Sequence, residues 1–418
     1  MKVLVVGQGG REHALVRALR LSPSVKAVHA LPGSDGIALE ARCHDVDWRD
    51  FDRVIRLVNE EAIDLVVIGP EVALDAGLSD ALRARDILVV GPSREAARLE
   101  SSKILSKEFM IEAGVPTARS FEVSSVAELQ RFAGEFQPPF VLKADGLAAG
   151  KGVFICKTRD DLFAAARSIF EDKSLGEAGT RALFEEFSSG YEISYLVLTD
   201  GERYEPLVLA RDHKRLRDGD EGPNTGGMGV VAPIEIDSAL RERIDRDVIA
   251  PSVAHLKKCG FTYRGVLYVG LMITPQGPSV LEYNVRFGDP EAQVILPLMG
   301  GDWGVVFREL ASGRVTPLTW KSTSACCVVL AAEGYPDSPV KAAPITGLRE
   351  LEASQSSYML HAGTRRDGTT WVTAGGRVLN AIGLGGSLRD AITAAYAIAD
   401  RVKWAGLQRR GDIGRRTN

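Results

Sequence analysis

The chain has 418 residues, of which 45% are hydrophobic and 25% are charged, with 51 basic against 55 acidic side chains. This length suggests about three domains, since domains average roughly 150 residues, and the apolar fraction is ordinary for globular proteins. The formal net charge of −4 argues against a nucleic-acid-binding or membrane-surface protein, which would carry a basic excess. Any anion-binding site must therefore be built locally.

Five cysteines, an odd number without a Cys-x-x-Cys spacing, fit neither a disulfide framework nor a zinc site. We interpret them as small buried residues in a reducing compartment. The chain opens directly on a strand, without the layout of a signal peptide, and no apolar run approaches the roughly 20 residues that span a bilayer. These features predict a cytoplasmic protein with neither a membrane nor a nucleic acid as partner.

The first hundred residues alternate apolar strands, at residues 3–6, 65–68 and 87–90, with helical segments. This alternation predicts a doubly wound parallel sheet with helices on both faces. One long helix is expected over residues 94–113, where Gly114 and Pro116 end it.

The middle of the chain has an α+β pattern. A helix is expected over residues 238–259, and strands are expected at residues 140–143, 183–187, 193–198, 206–210 and 267–273. A last unit is expected from about residue 324, with strands at 325–331, 359–361, 371–373 and 377–382 and a helix at 388–402. The basic tail, residues 409–418, is expected to be a solvated terminus.

Residues 7–13 (GQGGREH) lie between a strand and a helix and resemble a dinucleotide-binding fingerprint, except that Glu12 replaces the sixth-position glycine. The loop suggests a nicotinamide-dependent dehydrogenase, but Glu12 counts against it. The glycines still offer backbone N–H groups at a helix N-terminus, which suits an isolated phosphate. The turns at residues 32–34 and 69–71 would lie at the same sheet edge, and for them a plain tight turn is an equal alternative.

Residues 143–152 (KADGLAAGKG) place Lys143 at a strand end and Lys151 in a loop of glycines and alanines. Small residues let backbone N–H groups approach phosphate oxygens, and such a loop can close as a lid. The alternative is a glycine-rich hairpin with two solvated lysines. Residues 185–192 (EEFSSGYE) could hold adenine by backbone groups and ribose by a carboxylate.

Residues 281–291 (LEYNVRFGDPE) place Glu282, Asn284 and Arg286 on one face of a strand, because side chains alternate with a period of two. Carboxylate and amide oxygens suit Mg²⁺ that bridges ATP phosphates. A guanidinium can hold a phosphoryl group or a carboxylate in bidentate fashion. The alternative is a solvated sheet face, which we reject because the opposite face is apolar.

Residues 212–215 (DHKR) begin a charged run that leads into the glycine-rich residues 222–229 (GPNTGGMG). A long loop of this composition inside a folded domain is more often functional than a plain linker.

Together these segments resemble the phosphoribosylamine–glycine ligase family of the ATP-grasp superfamily, over nearly the whole chain. The motifs that carry the resemblance are residues 7–13, 212–215, 222–229, 284–291, 361–364, 375–379 and 412–414. The resemblance implies an N-terminal doubly wound domain (residues 1–102), an ATP-grasp domain (103–318) with a small lid subdomain (about 116–187), and a C-terminal α/β domain (319–418). It also implies a monomer.

The resemblance further implies roles for individual residues. The implied ATP contacts are Lys103, Lys143, Lys151, Glu185, Phe187, Ser188 and Glu192. The implied metal ligands are Glu282 and Asn284, for Mg²⁺ or Mn²⁺. The residues implied around glycine and the acyl phosphate are Asp212, Lys214 and Arg286, with Gly227 in the adjoining loop. The implied phosphoribosylamine phosphate site contains Gly9, Gly10 and Gly33.

The implied reaction joins glycine to phosphoribosylamine with ATP as co-substrate, through glycyl phosphate. The nearest alternative is another ATP-grasp ligase or carboxylase, against which the 212–229 segment argues. A non-catalytic nucleotide-binding regulator is the other alternative, and the intact charged set disfavours it.

Overall fold

The computed structural model describes residues 1–147, 152–348, 354 and 356–415. The first hundred residues form five strands, β1 (Lys2–Gly7), β2 (Ala27–Pro32), β3 (Arg42–Cys43), β4 (Leu65–Ile68) and β5 (Val89–Val90). The helices between them are α1 (Gly10–Arg20), α2 (Phe51–Glu60), α3 (Glu71–Asp75) and α4 (Leu78–Arg83). The strands form one parallel sheet in the order β3-β2-β1-β4-β5.

The central strand β1 explains why this sheet is covered on both faces. Val3 and Val5 pack into one buried cluster with α1, whereas Leu4 and Val6 pack into a second cluster with α2. A parallel sheet covered in this way needs strands that are apolar at every position. The predicted doubly wound sheet is therefore confirmed.

The helix predicted over residues 94–113 is wrong, because the chain forms two helices, α5 (Arg94–Ser101) and α6 (Lys103–Glu112). Ser102 between them is extended, with φ −127° and ψ 111°. Its hydroxyl accepts a hydrogen bond from the Leu105 amide at 3.1 Å and donates one to Asp145 at 2.9 Å. Serine is a favoured N-cap residue, so the break starts α6 and directs it toward the next region.

A small antiparallel sheet follows. Its strands are β6 (Ser120–Val123), β7 (Phe140–Ala144), β8 (Val153–Cys156) and β9 (Ala182–Glu186), in the order β6-β9-β7-β8. The helices α7 (Val126–Phe132) and α8 (Arg159–Phe170) share with it a separate apolar core that includes Phe140, Leu162 and Phe184.

The central region contains β10 (Tyr191–Thr199), β11 (Tyr204–Pro206), β12 (Arg211–Asp212), β13 (Arg215–Arg217), β14 (Glu221–Asn224), β15 (Gly229–Ala232), β16 (Gly265–Thr274) and β17 (Gly277–Asn284). An antiparallel sheet has the order β11-β10-β16-β17, and β13 pairs with β14 as a hairpin. The predicted helix forms as α9 (Ser238–Ile244), a π-helical turn (Asp245–Ile249) and α10 (Ala250–Lys258). The strand predicted over residues 206–210 lies earlier, at β11.

The last region contains α11 (Ala292–Ile295), α12 (Trp303–Ala311), β18 (Ser324–Ala331), β19 (Pro344–Ile345), β20 (Ser357–His361), β21 (Thr364–Asp367), β22 (Thr370–Thr373), β23 (Arg377–Gly385) and α13 (Leu388–Ala399). A five-stranded sheet has the order β12-β15-β18-β23-β20, so strands of the central region cross the boundary expected at residue 318. This pairing joins both ends of the 212–229 loop to the C-terminal sheet.

The basic tail is not simply a solvated terminus, as the sequence predicted. Arg410 is only 1% exposed, and Ile413 is fully buried, whereas Arg409 is partly exposed and pairs with Asp400 at 2.5 Å. Elsewhere in the described residues, no helix combines the length and the apolar character needed to cross a bilayer.

Candidate active site

A cavity of about 420 Å³ is lined by side chains from every region of the fold. Its charged lining residues among those described are Arg11, Glu71, Glu100, Lys103, Lys107, Lys143, Glu185, Asp212, Lys214, Glu282, Arg286, Asp289, Glu291 and Arg377. These are seven cations and seven carboxylates, so the overall charge of the lining does not select an anion. Selectivity must come from which charges already have partners.

Glu185 is the carboxylate most firmly held by its neighbours. It lies on β9, 3% exposed, between Lys143 of β7 at 2.6 Å and Lys107 of α6 at 2.8 Å. Burial raises the pKa of Glu185, but Lys143 and Lys107 outweigh burial and hold that pKa below its usual value. Two cations therefore share one anion, which leaves this wall with a surplus positive charge.

Lys103 supplies a further cation at the N-terminus of α6. Its ammonium donates to the carbonyl oxygens of Ala144 at 3.0 Å and Gly146 at 3.1 Å. Burial lowers the pKa of Lys103, and Glu282 opposes that change. Lys103 and Lys143 thus line the same cavity, where the sequence predicted ATP phosphates, whereas Lys151 lies outside the described residues.

The three polar side chains predicted to share one strand face do line one cavity, but β17 ends at Asn284 and Arg286 lies in the bend after it. Tyr283, Val285 and Phe287 are buried in apolar clusters, whereas Glu282, Asn284 and Arg286 line the cavity. Burial raises the pKa of Glu282, but Lys214, Lys143, Lys103 and Arg286 outweigh it and keep the pKa below its usual value. No hydrogen bond or ion pair to the Glu282 carboxylate occurs among the described residues.

Arg286 is already held by protein groups. Its guanidinium donates to Glu100 at 2.5 Å, to Glu71 at 3.3 Å and to the Asn284 amide oxygen at 2.9 Å. A fourth bond reaches the Phe287 carbonyl at 3.2 Å. The two glutamates come from the N-terminal region, so Arg286 ties that region to the end of β17 and orients Asn284.

Asp212 and Lys214 stand at the start of the 212–229 loop, 3.3 Å apart. The Asp212 carboxylate also accepts a hydrogen bond from the His213 amide at 2.7 Å. Burial raises the pKa of Asp212. The Lys214 ammonium works against this rise, and the Glu291 carboxylate adds to it. Gly227 lies against the carboxylate so closely that a Cβ there would collide with it, so the loop returns directly over Asp212.

Several cavity residues received no individual role from the sequence. Arg377 of β23 donates to the carbonyl oxygens of Gly226 at 2.7 Å and Asp289 at 2.6 Å, and Tyr268 donates to Glu291 at 2.8 Å. The other such residues are Arg11, Glu71, Glu100 and Lys107. Asp289, Glu291 and Arg377 lie inside the motifs 284–291 and 375–379, and their place in these motifs was the sequence signal that could have identified them.

The three residues expected at the adenosine end of ATP, besides Glu185, do not line the cavity. Phe187 and Ser188 follow β9 and are half-buried, and Glu192 is exposed at the start of β10. None of the three lines the cavity. Glu185 points to the two lysines described above, so its observed contacts serve the phosphate side rather than the adenine side.

The N-terminal glycine turn is occupied by its own Glu12. The Gly9 amide donates to the Glu12 carboxylate at 2.7 Å, and a Cβ at Gly7 would collide with the same side chain. Gly10 packs against side chains from the C-terminal half, and Gly33 has φ +71° beside Cys43. Glu12 therefore stands where a dinucleotide fingerprint leaves room for pyrophosphate, which weighs against the dehydrogenase alternative.

The cavity has residues that fit a divalent cation. The described residues contain no cluster of three or more His, Cys, Asp or Glu side chains of metal-binding geometry. Glu282 and Asn284 nevertheless present a carboxylate and an amide oxygen on one face, the hard ligands that Mg²⁺ takes when phosphate oxygens complete its shell. The observation that favours this fit is that the Glu282 carboxylate pairs with none of the residues that the structure describes.

Comparison with known proteins agrees with this geometry over the full chain. Family models match the phosphoribosylglycinamide synthetase N domain at residues 1–100, its ATP-grasp (A) domain at 101–292 and its C domain at 325–416. Phosphoribosylamine–glycine ligase from Streptomyces coelicolor is 45% identical, over 99% of this chain and 98% of that protein. The Nostoc enzyme of the same name is 42% identical, over 100% of both.

Solved structures give the same result. The crystal structure of phosphoribosylamine–glycine ligase from Thermotoga maritima superposes with a TM-score of 0.87 at 35% identity, covering 99% of this chain and 100% of that one. A biotin carboxylase domain from Hydrogenobacter thermophilus superposes at 0.74 with 18% identity, over 98% of this chain and 91% of that one, which shows the shared fold alone. The chain therefore belongs to the phosphoribosylglycinamide synthetase family.

Proposed function

We propose that this protein ligates glycine to 5-phosphoribosylamine in purine biosynthesis, with ATP as co-substrate, yielding glycinamide ribonucleotide, ADP and phosphate. Family membership supports the reaction. The observation that carries it at the level of the site is the Glu282 carboxylate, which pairs with none of the described residues but lies in the field of Lys103, Lys143 and Lys214. Such a group of cations suits a reaction in which two negatively charged reactants must approach each other.

The first step is attack of the glycine carboxylate on the γ-phosphate of ATP, which gives glycyl phosphate and ADP. Both reactants are anions, so neutralisation and orientation dominate the barrier. Lys103 and Lys143 bind the phosphates, and Lys151, which lies outside the described residues, is the third lysine assigned to ATP. Glu185 holds Lys143 and Lys107 in place, so the cationic wall is formed before ATP arrives.

Glu282 and Asn284 would hold the divalent cation, Mg²⁺ or Mn²⁺, which supplies charge neutralisation at the phosphates when bound. Arg286 orients the Asn284 oxygen toward the cavity through a 2.9 Å hydrogen bond. Glu100 and Glu71 hold Arg286, so the metal-ligand face depends on contacts from the N-terminal region.

The second step is attack of the phosphoribosylamine amine on the acyl carbon, with phosphate leaving. Asp212 offers a carboxylate to the glycine ammonium, and Lys214 offers a cation to the acyl phosphate. Gly227 packs over Asp212 and helps to exclude water, which would otherwise hydrolyse the intermediate. Phosphorylation is needed because oxide is a poor leaving group from a carboxylate.

The remaining contacts belong to the two ends of the substrates. Phe187, Ser188 and Glu192 form the adenosine end, beyond the lysines. Gly9, Gly10 and Gly33 form the phosphate end for phosphoribosylamine, where binding requires Glu12 to leave the Gly9 amide. The division into residues 1–102, 103–318 with a lid at about 116–187, and 319–418, together with a monomeric state, completes the proposal.

The test is ADP release by the purified protein with Mg²⁺, ATP, glycine and freshly prepared phosphoribosylamine. Turnover should require both glycine and the amine. Omission of either, or replacement of glycine by bicarbonate, should leave only background hydrolysis. Equal turnover with an unrelated acid would contradict the substrate assignment and favour another ATP-grasp ligase or a carboxylase.

A further inference from the structure

The 212–229 loop reaches the cavity only at its two ends. Asp212 and Lys214 line the cavity at the start of the loop, and Thr225 and Gly226 line it at the end. Between them the β13–β14 hairpin extends away, and its strand β14 is exposed along its length. The position of this hairpin therefore determines where the substrate-facing ends of the loop lie.

The far end of this hairpin is held by the C-terminal tail through Arg410. The Arg410 guanidinium donates to both carboxylate oxygens of Asp412 at 2.7 and 2.6 Å. It also reaches Asp220 at 2.6 Å and the Arg215 carbonyl at 3.2 Å, both in the hairpin. A bidentate arginine–carboxylate pair fixes direction as well as distance, so this contact constrains the hairpin.

Backbone contacts repeat the link on both sides of Arg410. The Gly411 amide donates to Asp218 at 2.7 Å, and the Gly219 amide donates to Asp412 at 2.9 Å. The Gly414 amide donates to His213 Nε2 at 3.3 Å, next to both Asp212 and Lys214. The tail thus contacts the loop beside its catalytic end as well as at its tip.

The tail itself is anchored in the core of the C-terminal region. Ile413 is fully buried, and its amide donates to the Tyr396 hydroxyl of α13 at 3.0 Å. The same hydroxyl donates to the Arg410 carbonyl at 3.0 Å. Because the tail is fixed to α13 through its backbone and its side chains, it can fix the loop relative to α13. A glycine-rich loop loses much conformational entropy when it becomes ordered, so such contacts help to hold it in one position.

We propose that residues 410–414 position the 212–229 loop for the ligation reaction, and that Arg410 is the positioning residue. The proposal rests on the proposed function, because Asp212 and Lys214 are the glycine-facing residues of that reaction. Loss of the contact should leave Lys103 and Lys143 in place, since they lie on α6 and on β7. Glycine use should suffer, and ATP binding should not.

The experiment compares Arg410→Gln, Arg410→Lys and Asp220→Asn with Arg409→Gln, a neighbouring arginine that pairs with Asp400 outside the loop. ADP release is measured in the presence of phosphoribosylamine, first with glycine varied at saturating ATP and then with ATP varied at saturating glycine. A misplacement of about 1 Å can cost up to about 100-fold. We therefore expect Arg410→Gln to lower kcat/KM for glycine by about 10- to 100-fold, while KM for ATP stays within about twofold.

Arg410→Lys keeps the positive charge but cannot form the bidentate pair with Asp412, so its activity should lie between those of Arg410→Gln and the wild type. Asp220→Asn removes only the hairpin partner, and should lower kcat/KM for glycine less than Arg410→Gln does. Its backbone φ of +57° is one that asparagine tolerates, so this variant decides the question if Arg410→Gln does not fold. Arg409→Gln should behave as wild type.

Hydrogen exchange gives a readout that does not depend on turnover. Amides of residues 213–229 should lose protection in Arg410→Gln and Asp220→Asn, while those of β7 and β17 keep it. Wild-type kinetics and protection in both variants would overturn the proposal, as would an equal rise of KM for ATP and glycine. An inactive wild type with the expected loss of protection would contradict the proposed function instead.

Discussion

Two carboxylates that line the same cavity, Glu185 and Glu282, have opposite surroundings. Glu185 on β9 lies between Lys107 and Lys143, each within 2.8 Å. Glu282 on β17 is surrounded by cations that lower its pKa, but the described residues make no direct contact with its carboxylate. The first carboxylate is part of the protein's own structure, whereas the second is available to a ligand.

The difference shows how a neutral cavity can still select its ligands. A carboxylate that is already paired costs little to keep buried and orders its lysines, whereas an unpaired buried carboxylate is costly unless something binds it. Substitutions at the two positions should therefore have different effects: a substitution of Glu282 should lower turnover, and a substitution of Glu185 should lower stability.

Glu282→Gln should have the largest effect, a fall in kcat of at least about 1000-fold, because it removes the carboxylate that we propose as a ligand of the divalent cation. ADP release measures it, and the thermal melting curve should show that the fold survives. Glu242→Gln, at an exposed position of α9, serves as the control. Near-normal turnover at saturating Mg²⁺ would remove Glu282 from the metal site.

Glu185→Gln should lower the free energy of unfolding by about 3 kcal/mol, because two buried lysines lose their shared counter-charge. Urea denaturation measures this, and Glu186→Gln, at the exposed end of the same strand, should change stability by less than about 0.5 kcal/mol. An equal effect of the two substitutions would contradict the difference between paired and unpaired carboxylates.

The pH dependence provides a further check on Glu185. Because its pKa is lower in the folded protein than in the unfolded chain, its stabilising contribution is present above the unfolded value and is lost as pH falls through the folded value. Wild type should therefore lose stability faster than Glu185→Gln as pH falls below about 4.3, the ordinary glutamate pKa. Parallel curves would rule out this contribution.

Arg286→Lys should have an intermediate effect, since lysine cannot reach Glu71, Glu100 and Asn284 together. Loss of charge-assisted hydrogen bonds of about 2 kcal/mol corresponds to roughly a thirtyfold lower kcat. Steady-state ADP release measures it, and Arg308→Lys on the surface of α12 should be neutral. If Arg286→Lys kept wild-type kinetics, Asn284 would not depend on that guanidinium.

Glu12→Ala should have the smallest effect, about 1 to 2 kcal/mol of stability, because the Gly9 amide and the Arg11 guanidinium both lose an acceptor. Arg11 keeps the Phe287 carbonyl at 3.3 Å and Glu71 at 3.8 Å, which limits the loss. Glu12 is thus, like Glu185, a carboxylate that already has partners inside the protein. Urea denaturation against Glu60→Ala, exposed at the end of α2, isolates the contribution. A gain of NAD binding by Glu12→Ala would show that the turn retains a dinucleotide site.

The part of the site that sequence could predict depends on local geometry. Alternation along β17 places Glu282, Asn284 and Arg286 on one face without knowledge of any other element, and apolar runs identify the parallel sheet. The partners of these residues come from distant segments. Glu100, which binds Arg286, carries no local pattern that distinguishes it from exposed glutamates.

The errors have the same origin. Ser102 interrupts a helical pattern without a glycine or proline, and its hydrogen bond to Asp145 forms only in the folded chain. Arg410 and Arg409 are adjacent residues of the same type, yet Arg410 is buried and pairs with Asp220 of the hairpin and Asp412 of the tail, whereas Arg409 is not buried. Composition could identify a basic tail but not which arginine enters the core.

Arg377 has a consequence for how the enzyme comes into being. It belongs to β23, late in the chain, yet it binds Gly226 and Asp289 at the wall of the cavity. A chain still emerging from the ribosome lacks this wall until β23 has been made. Because β12 and β15 also pair into the sheet that β18 and β23 complete, the cavity can be complete only near the end of synthesis.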